Sequence, residues 1–273
     1  VVPQEPAPPP PVDEKKYAWL HESGLEFPKS TQRLRERFPP PDGFTRRALP
    51  EGSFGAWLRD LPLAAPDTPV LTYDKKILHP ASDPRIASVI AIDIGKGDLQ
   101  QCADAVMRFH AEWKWSRGER DMSYRAAAGS MLPFERWARG ERIVPSGNGF
   151  TWSPAAGHAG STAHASFRKY LDAVFAWANT VSLERQAKPV VEADVRAGDF
   201  FILPGNPGHS VLVLEVVERG KERLALLGQS YMPAQSPQVL ALEKKAWFSL
   251  DPTKDVTTPF WRPFPWSSLR RLD

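Results

Sequence analysis

Cysteine is almost missing from this chain: Cys102 is the only one in 273 residues. An intramolecular disulfide and a zinc site built on paired cysteines are thereby excluded. One thiol remains, and its part is either packing or reactivity. Long apolar runs are missing too, since no stretch approaches the ~18 residues of a membrane-crossing helix. Neither sign of charge is in surplus, with 35 Lys and Arg against 32 Asp and Glu. No basic block is interleaved with aromatics, so nucleic acid is excluded as a partner class by charge pattern. The chain opens at Val1 with neither a methionine nor a signal-like segment, and a processed or truncated N-terminus is expected. Internal repeats are absent, and no linker follows residue 16.

What is present begins with proline. "VVPQEPAPPPPVDEKK" carries it at six of its first eleven positions, a composition that favours an extended tether without a core. Residues 1–16 are therefore expected to space one domain, 17–273, from an anchor, which implies an extracytoplasmic or envelope location. The plainer reading is a chain end with no such role. "STQRLRERF" offers Ser30 or Thr31 as a cap with Leu34 and Phe38 on one face, and "SFGAWLRDLPL" is a second short helix. "SVIAIDIG" reads as a buried strand that Gly95 and Gly97 turn into the helix "DLQQCADAVMRFHAEWKW", with Asp98 as its cap. A short helix follows around "PFERWARG". A long one runs from about Ser166 to Gln186, with Phe167, Leu171, Val174, Ala178 and Val181 on one stripe. Then "DFFIL", "SVLVLEVV", "RLALLGQS" and "QVLAL" form a meander. Helices first and an antiparallel sheet afterwards predict an α+β fold.

Two residues in this layout invite chemistry. Cys102 near a helix start sits where partial positive charge favours a thiolate. His209 opens an apolar strand after "PGNPG", where an imidazole is held on a rigid edge. A thiol facing an imidazole is a nucleophile–base pair, and Gln229 at the end of the next strand is placed to orient the ring. Bland readings stand beside each. Leu99, Cys102, Val106, Phe109 and Trp113 make a core stripe on which a small cysteine belongs. His209 can cap the hairpin, and Gln229 can satisfy buried backbone, with Ser230 and Tyr231 competing for its role.

"VRAGDFFILPGNPGHSVLVLEV" resembles the second half of a papain-like hydrolase of the NlpC/P60 and CHAP type. A Gly-Asp turn, an apolar strand, a glycine-containing hairpin and a Gly-His carry the likeness. The resemblance implies a helix packed on an antiparallel sheet, with Cys102 as nucleophile, His209 as base, Gln229 as orienting group and Asp199 as a structural turn residue. The 107 residues from cysteine to histidine imply extra helices inserted between the nucleophile helix and the sheet, and "CADAV" departs from the usual neighbours of such a cysteine. From about Arg37 the chain also resembles an uncharacterised bacterial family, a domain of unknown function found in lipoprotein-like proteins. "SFGAWLRDLPL", "DLQQCADAVMRFHAEW", "PGNPGHSVLVLEV" and "GQSYMPAQ" carry that likeness.

Other chemistry is thinner. His158 and His164 lack a nearby carboxylate to complete a metal set, and "HAEW" at His110 lacks the second histidine of a zinc-protease helix. Ten tryptophans, among them Trp113, Trp115, Trp152 and those of "PFWRPFPW", can line a groove or pack a core. The expected function is an extracytoplasmic cysteine hydrolase or acyltransferase acting on an amide bond of a peptide or cell-wall fragment, without a cofactor. Half of its oxyanion hole would be the Cys102 N–H, and Gln101 or Gln100 would supply the rest. The alternative is a non-catalytic module on the same scaffold that holds a glycan, peptide or protein in a tryptophan-rich cleft.

Overall fold

The computed structural model describes residues 16–155 and 160–273; the proline-rich tether up to residue 15, and His158, lie outside them. Among the described residues are six α-helices: α1 Leu34–Arg37, α2 Phe54–Leu58, α3 Cys102–Ser116, α4 Phe134–Ala138, α5 His164–Trp177 and α6 Thr180–Gln186. The principal sheet has nine strands: β1 Thr45–Arg46, β2 Ile86–Val89, β3 Lys188–Pro189, β4 Phe200–Leu203, β5 His209–Arg219, β6 Glu222–Gln229, β7 Gln238–Leu240, β8 Trp247–Ser249 and β9 Leu269–Arg271. Their order is β3-β9-β4-β5-β6-β7-β2, with β8 beside β6 and β1 beside β5. Every pairing is antiparallel. The class is mixed α and β around an antiparallel sheet.

Strand alternation sorts the sheet's side chains into two cores. On one face Phe200, Ile202, Leu212, Leu214, Leu226 and Val239 pack with Ala103, Val106, Met107 and Phe109 of α3 and with Phe167, Leu171 and Val174 of α5. On the other face Phe201, Val211, Val213, Leu227 and Leu240 pack under Phe248, Leu250, Val256 and Phe264 from the C-terminal part of the chain. Sheet burial on both faces explains why β5 reads as an almost unbroken apolar run. The first eleven residues of α3, Cys102 to Glu112, are all buried, so α3 is an interior helix and not a half-exposed one.

Three expectations about elements are corrected. Ser30–Arg33 is not a helix cap but a strand paired with Pro62–Ala64, and α1 starts only after it, with Glu36 accepting the Arg33 N–H at 2.9 Å. The helix expected from Asp98 begins at Cys102: Asp104 accepts the Gln101 N–H at 3.0 Å, whereas Asp98 turns away to the Ala234 N–H at 2.6 Å. The long helix expected over 166–186 is two. Ala178 is extended, and Asn179 caps α6 through the Ser182 N–H at 2.9 Å, because an Asn side chain competes with the helical backbone for its own hydrogen bonds.

A buried ion cluster ties the helical layer together. Asp93, just before α3, receives Arg108 Nη2 from α3 at 2.7 Å and Arg168 Nε from α5 at 2.8 Å. Arg108 also donates Nε to Glu112 at 2.9 Å, and Glu112 accepts His164 Nε2 at 3.0 Å. Glu22 takes the other nitrogen of His164 at 3.2 Å. Carboxylates therefore do reach His164, from positions far away in sequence.

Candidate functional site

The site forms where the β5–β6 ladder runs out. Leu212 opposes Gly228, so the antiparallel register carries Val211 opposite Gln229 and sets His209 diagonal to Gln229 on one face. On that diagonal the side chains meet, His209 Nε2 to Gln229 Oε1 at 2.8 Å. Both are buried, at 0% and 4% exposure. His209 Nδ1 has no hydrogen-bond partner among the described residues. The rings of Tyr231, Trp261 and Phe264 surround the imidazole, with centroids at 4.8, 5.1 and 6.2 Å.

Cys102 comes to this point from the other layer. Val213 exchanges backbone hydrogen bonds with Gly198 and Asp199 on the β4 side. Alternation then turns the main chain of Ser210 and Gly208 toward β6, beyond its last residue. The thiol occupies that open end. Sγ donates to the Gly208 carbonyl at 3.7 Å and accepts from the Ser210 N–H. The sulfur thus touches the main chain on both sides of His209. A thiol–imidazole hydrogen bond, the arrangement expected from sequence, is not formed, because the thiol proton already has the Gly208 carbonyl.

The expected activation of the thiol is also reversed. Burial pushes Cys102 up to about 12, and Asp104 adds to the rise, while the N–H groups of Ala103, Ser210 and Cys102 itself pull the other way. A helix terminus offers only ~0.3–1 kcal/mol, too little to offset removal from water. Burial lowers His209 to about 4, against the opposing effect of the Gln229 bond. At neutral pH both groups rest uncharged. Asp104 is the residue that sequence reasoning missed: burial raises its carboxyl to about 8, and its Oδ1 has no partner among the described residues. The spacing of Asp104 two residues after Cys102 was the available signal.

Gln100 and Gln101, expected at the oxyanion hole, have their side chains bonded elsewhere. Gln100 is locked in the ion cluster, accepting Arg108 Nη1 at 3.0 Å and donating to the Asp93 carbonyl at 3.3 Å. Gln101 Nε2 donates to Asp98 Oδ1 at 3.0 Å, so its amide serves the approach to α3. Asp199 is structural, held by Arg271 Nε at 2.5 Å and by the Arg196 N–H at 2.9 Å. The tryptophans do not gather into one cleft. Trp115 stacks on Phe167 at 4.5 Å, and Trp113 donates to the Gly52 carbonyl at 2.9 Å. Trp261 instead lies against His209, on a shallow groove of about 720 Å³ lined by Pro207, Tyr231, Pro259, Phe260 and Arg262. A more enclosed, mostly apolar cleft of about 670 Å³, between residues 24–28, 68–75 and 92–96, contains none of the three site residues.

Fold and site together define a mixed α and β protein with a buried cysteine, histidine and glutamine at the end of an antiparallel ladder. The chain belongs to the family described as domain of unknown function (4846), whose model matches residues 34–271. No curated protein and no solved structure matches it. Among the described residues, no helix is long and apolar enough to cross a membrane.

Proposed function

We propose that this chain is a papain-like cysteine hydrolase or acyltransferase acting on amide bonds, extracytoplasmic, with a peptide or cell-wall fragment as substrate and residues 17–273 as one domain. The observation that carries the reading is the His209 Nε2 bond to Gln229 at 2.8 Å, with Nδ1 left unpaired beside the strand end that holds the thiol. An imidazole bonded in this way through Nε2–H keeps a lone pair on Nδ1, the form a base requires. A turn of the Cys102 side chain would redirect the thiol hydrogen bond from the Gly208 carbonyl to Nδ1, the nitrogen that would take the proton during attack. Sulfur would then attack the amide carbon, the C–N bond would break, and the proton on Nδ1 would pass to the leaving amine. Water or a second amine would release the acyl group by the reverse path. The Cys102 N–H at the start of α3 would be one oxyanion donor. Since thiol and imidazole both rest neutral, His209 would act as a general base during attack and not as half of a standing ion pair.

Burial of the thiol favours a second reading, a non-catalytic module whose groove at Tyr231, Phe260 and Trp261 holds a glycan, peptide or protein. Iodoacetamide labelling of the folded chain, read by mass spectrometry, separates the two. The enzyme reading expects Cys102 to label without denaturant and His209→Ala to slow the reaction. Labelling only after unfolding would make the binding module the better account.

A further inference from the structure

The direction in which the Gln229 amide faces decides whether His209 can serve as a base at all. A carboxamide has an acceptor end and a donor end. With its oxygen on Nε2, the ring carries its proton there and Nδ1 has the lone pair. Turned over, the amide would donate to Nε2, the ring proton would move to Nδ1, and no acceptor would face the thiol side. In the structure the oxygen faces the ring at 2.8 Å. The other end of the amide, Gln229 Nε2, is buried without a partner among the described residues, so the Gln229–His209 contact does not by itself hold the orientation.

Directly opposite Gln229 in the β6–β7 ladder is Gln238. It is fully buried, and neither end of its amide has a partner among the described residues. Side chains opposed in an antiparallel pair share a face, with Cβ atoms about 4.5–5.5 Å apart. That separation is within reach of two glutamines, or of two with one water between them. Trp261 Nε1, also buried and unpartnered, is a donor only and cannot receive the Gln229 N–H; of the buried unpartnered acceptors, Gln238 is the one that the ladder sets opposite Gln229. Buried amide groups are nearly always satisfied.

We propose that Gln238 is a positioning residue: its Oε1 takes the Gln229 Nε2–H through one bridging water, and so holds the Gln229 oxygen on His209 and the imidazole in its Nε2–H tautomer. The purpose of this device rests on the enzyme reading; its existence does not. Long-range ¹H–¹⁵N spectra of the full chain with ¹⁵N-histidine report the tautomer directly, with the His209 signals assigned by their loss in His209→Gln. The wild type is expected as Nε2–H. In Gln238→Met, close in size but without an acceptor, the ratio of Nε2–H to Nδ1–H should fall roughly five-fold, the scale of one lost neutral hydrogen bond. Gln238→Glu, which keeps an acceptor, should restore it. Should Gln238→Met fail to fold, Gln238→Ser, too short to reach Gln229, replaces it with the same outcomes. A wild-type ring protonated on Nδ1, or a tautomer unmoved in the folded variant, overturns the proposal. An inert Cys102 together with a tautomer that shifts in Gln238→Met would sink the enzyme reading and leave the positioning role standing.

Discussion

Asp104 adds to the effect of burial on the thiol from two residues away. Its carboxyl, raised to about 8 by burial, is largely protonated at neutral pH and charged above it, where it opposes formation of the Cys102 thiolate. Asp104→Asn keeps an acceptor for the Gln101 N–H and removes the charge. Its iodoacetamide rate should exceed that of the wild type several-fold at about pH 9 and match it near pH 6, where the wild-type carboxyl is neutral. The stability sign follows from the same shift. A carboxyl raised in the folded state holds a proton that the unfolded chain releases, so its contribution falls as pH rises from the ordinary carboxylate value near 4 to about 8. Melting temperatures across that window should show Asp104→Asn gaining on the wild type as pH increases. A constant offset would mean that the carboxyl is not buried as described. Counted from the hairpin, Gln229 falls opposite Leu212, and only the bulge between Val213 and Glu215 brings it to the His209 face, so the two residues were legible in the sequence but their contact was not. Nor was the state of the thiol, because desolvation depends on what covers a residue and not on its neighbours in the chain.

Among the elements, the turn between β4 and β5 sets where His209 begins. Thr180, the first residue of α6, holds it, donating Oγ1 to the Gly205 carbonyl and accepting the Gly205 N–H, both at 3.3 Å. Gly208 fits this crossing only without a side chain, since a Cβ there would collide with Thr180 Oγ1 and lie 2.7 Å from the Gly205 nitrogen. Gly208→Ala should cost about 1–3 kcal/mol, as overpacking usually does. It should also displace the carbonyl that receives the thiol. Urea unfolding measures the first effect, and a change in Cys102 labelling rate the second; an unchanged urea midpoint would show that the turn gives way without strain. Strand runs such as "SVLVLEVV" were readable because both faces are buried. The break after α5 was not, because Val174, Ala178 and Val181 keep helical spacing across it and only the Asn179 side chain interrupts the backbone. The start of α3 was misread for a related reason: Asp98 is a preferred capping type and Gln101 is not, but the Ala234 N–H donates to the Asp98 carboxylate and the helix starts after Gln101.

At the scale of the whole molecule, one aspartate joins parts of the chain that are far apart in sequence. Arg108 and Arg168 converge on Asp93, which burial alone would push up but which the two guanidiniums hold well below the usual carboxylate range. Asp93→Asn would leave two buried cations short of their shared partner, at a cost of about 3–5 kcal/mol. Chemical denaturation should show that loss, and a change under about 1 kcal/mol would mean that Glu112 on Arg108, and Asp172, which accepts Arg168 Nη1 at 2.5 Å, suffice to hold the arginines. The pairs Arg108–Glu112 and Arg168–Asp172 keep helical i,i+4 spacing, but no spacing in the sequence announces their convergence on Asp93, which spans 15 and 75 residues. The clamp also determines which part of the molecule can yield. Sliding α3 along its axis by a single residue, about 1.5 Å, would pull Arg108 away from Asp93 where solvent cannot replace it. The helix that bears the sulfur is therefore the fixed jaw. On the enzyme reading, the side that yields would be Tyr231 and Trp261, half-buried rings on irregular chain that pack against the His209 imidazole beside the groove.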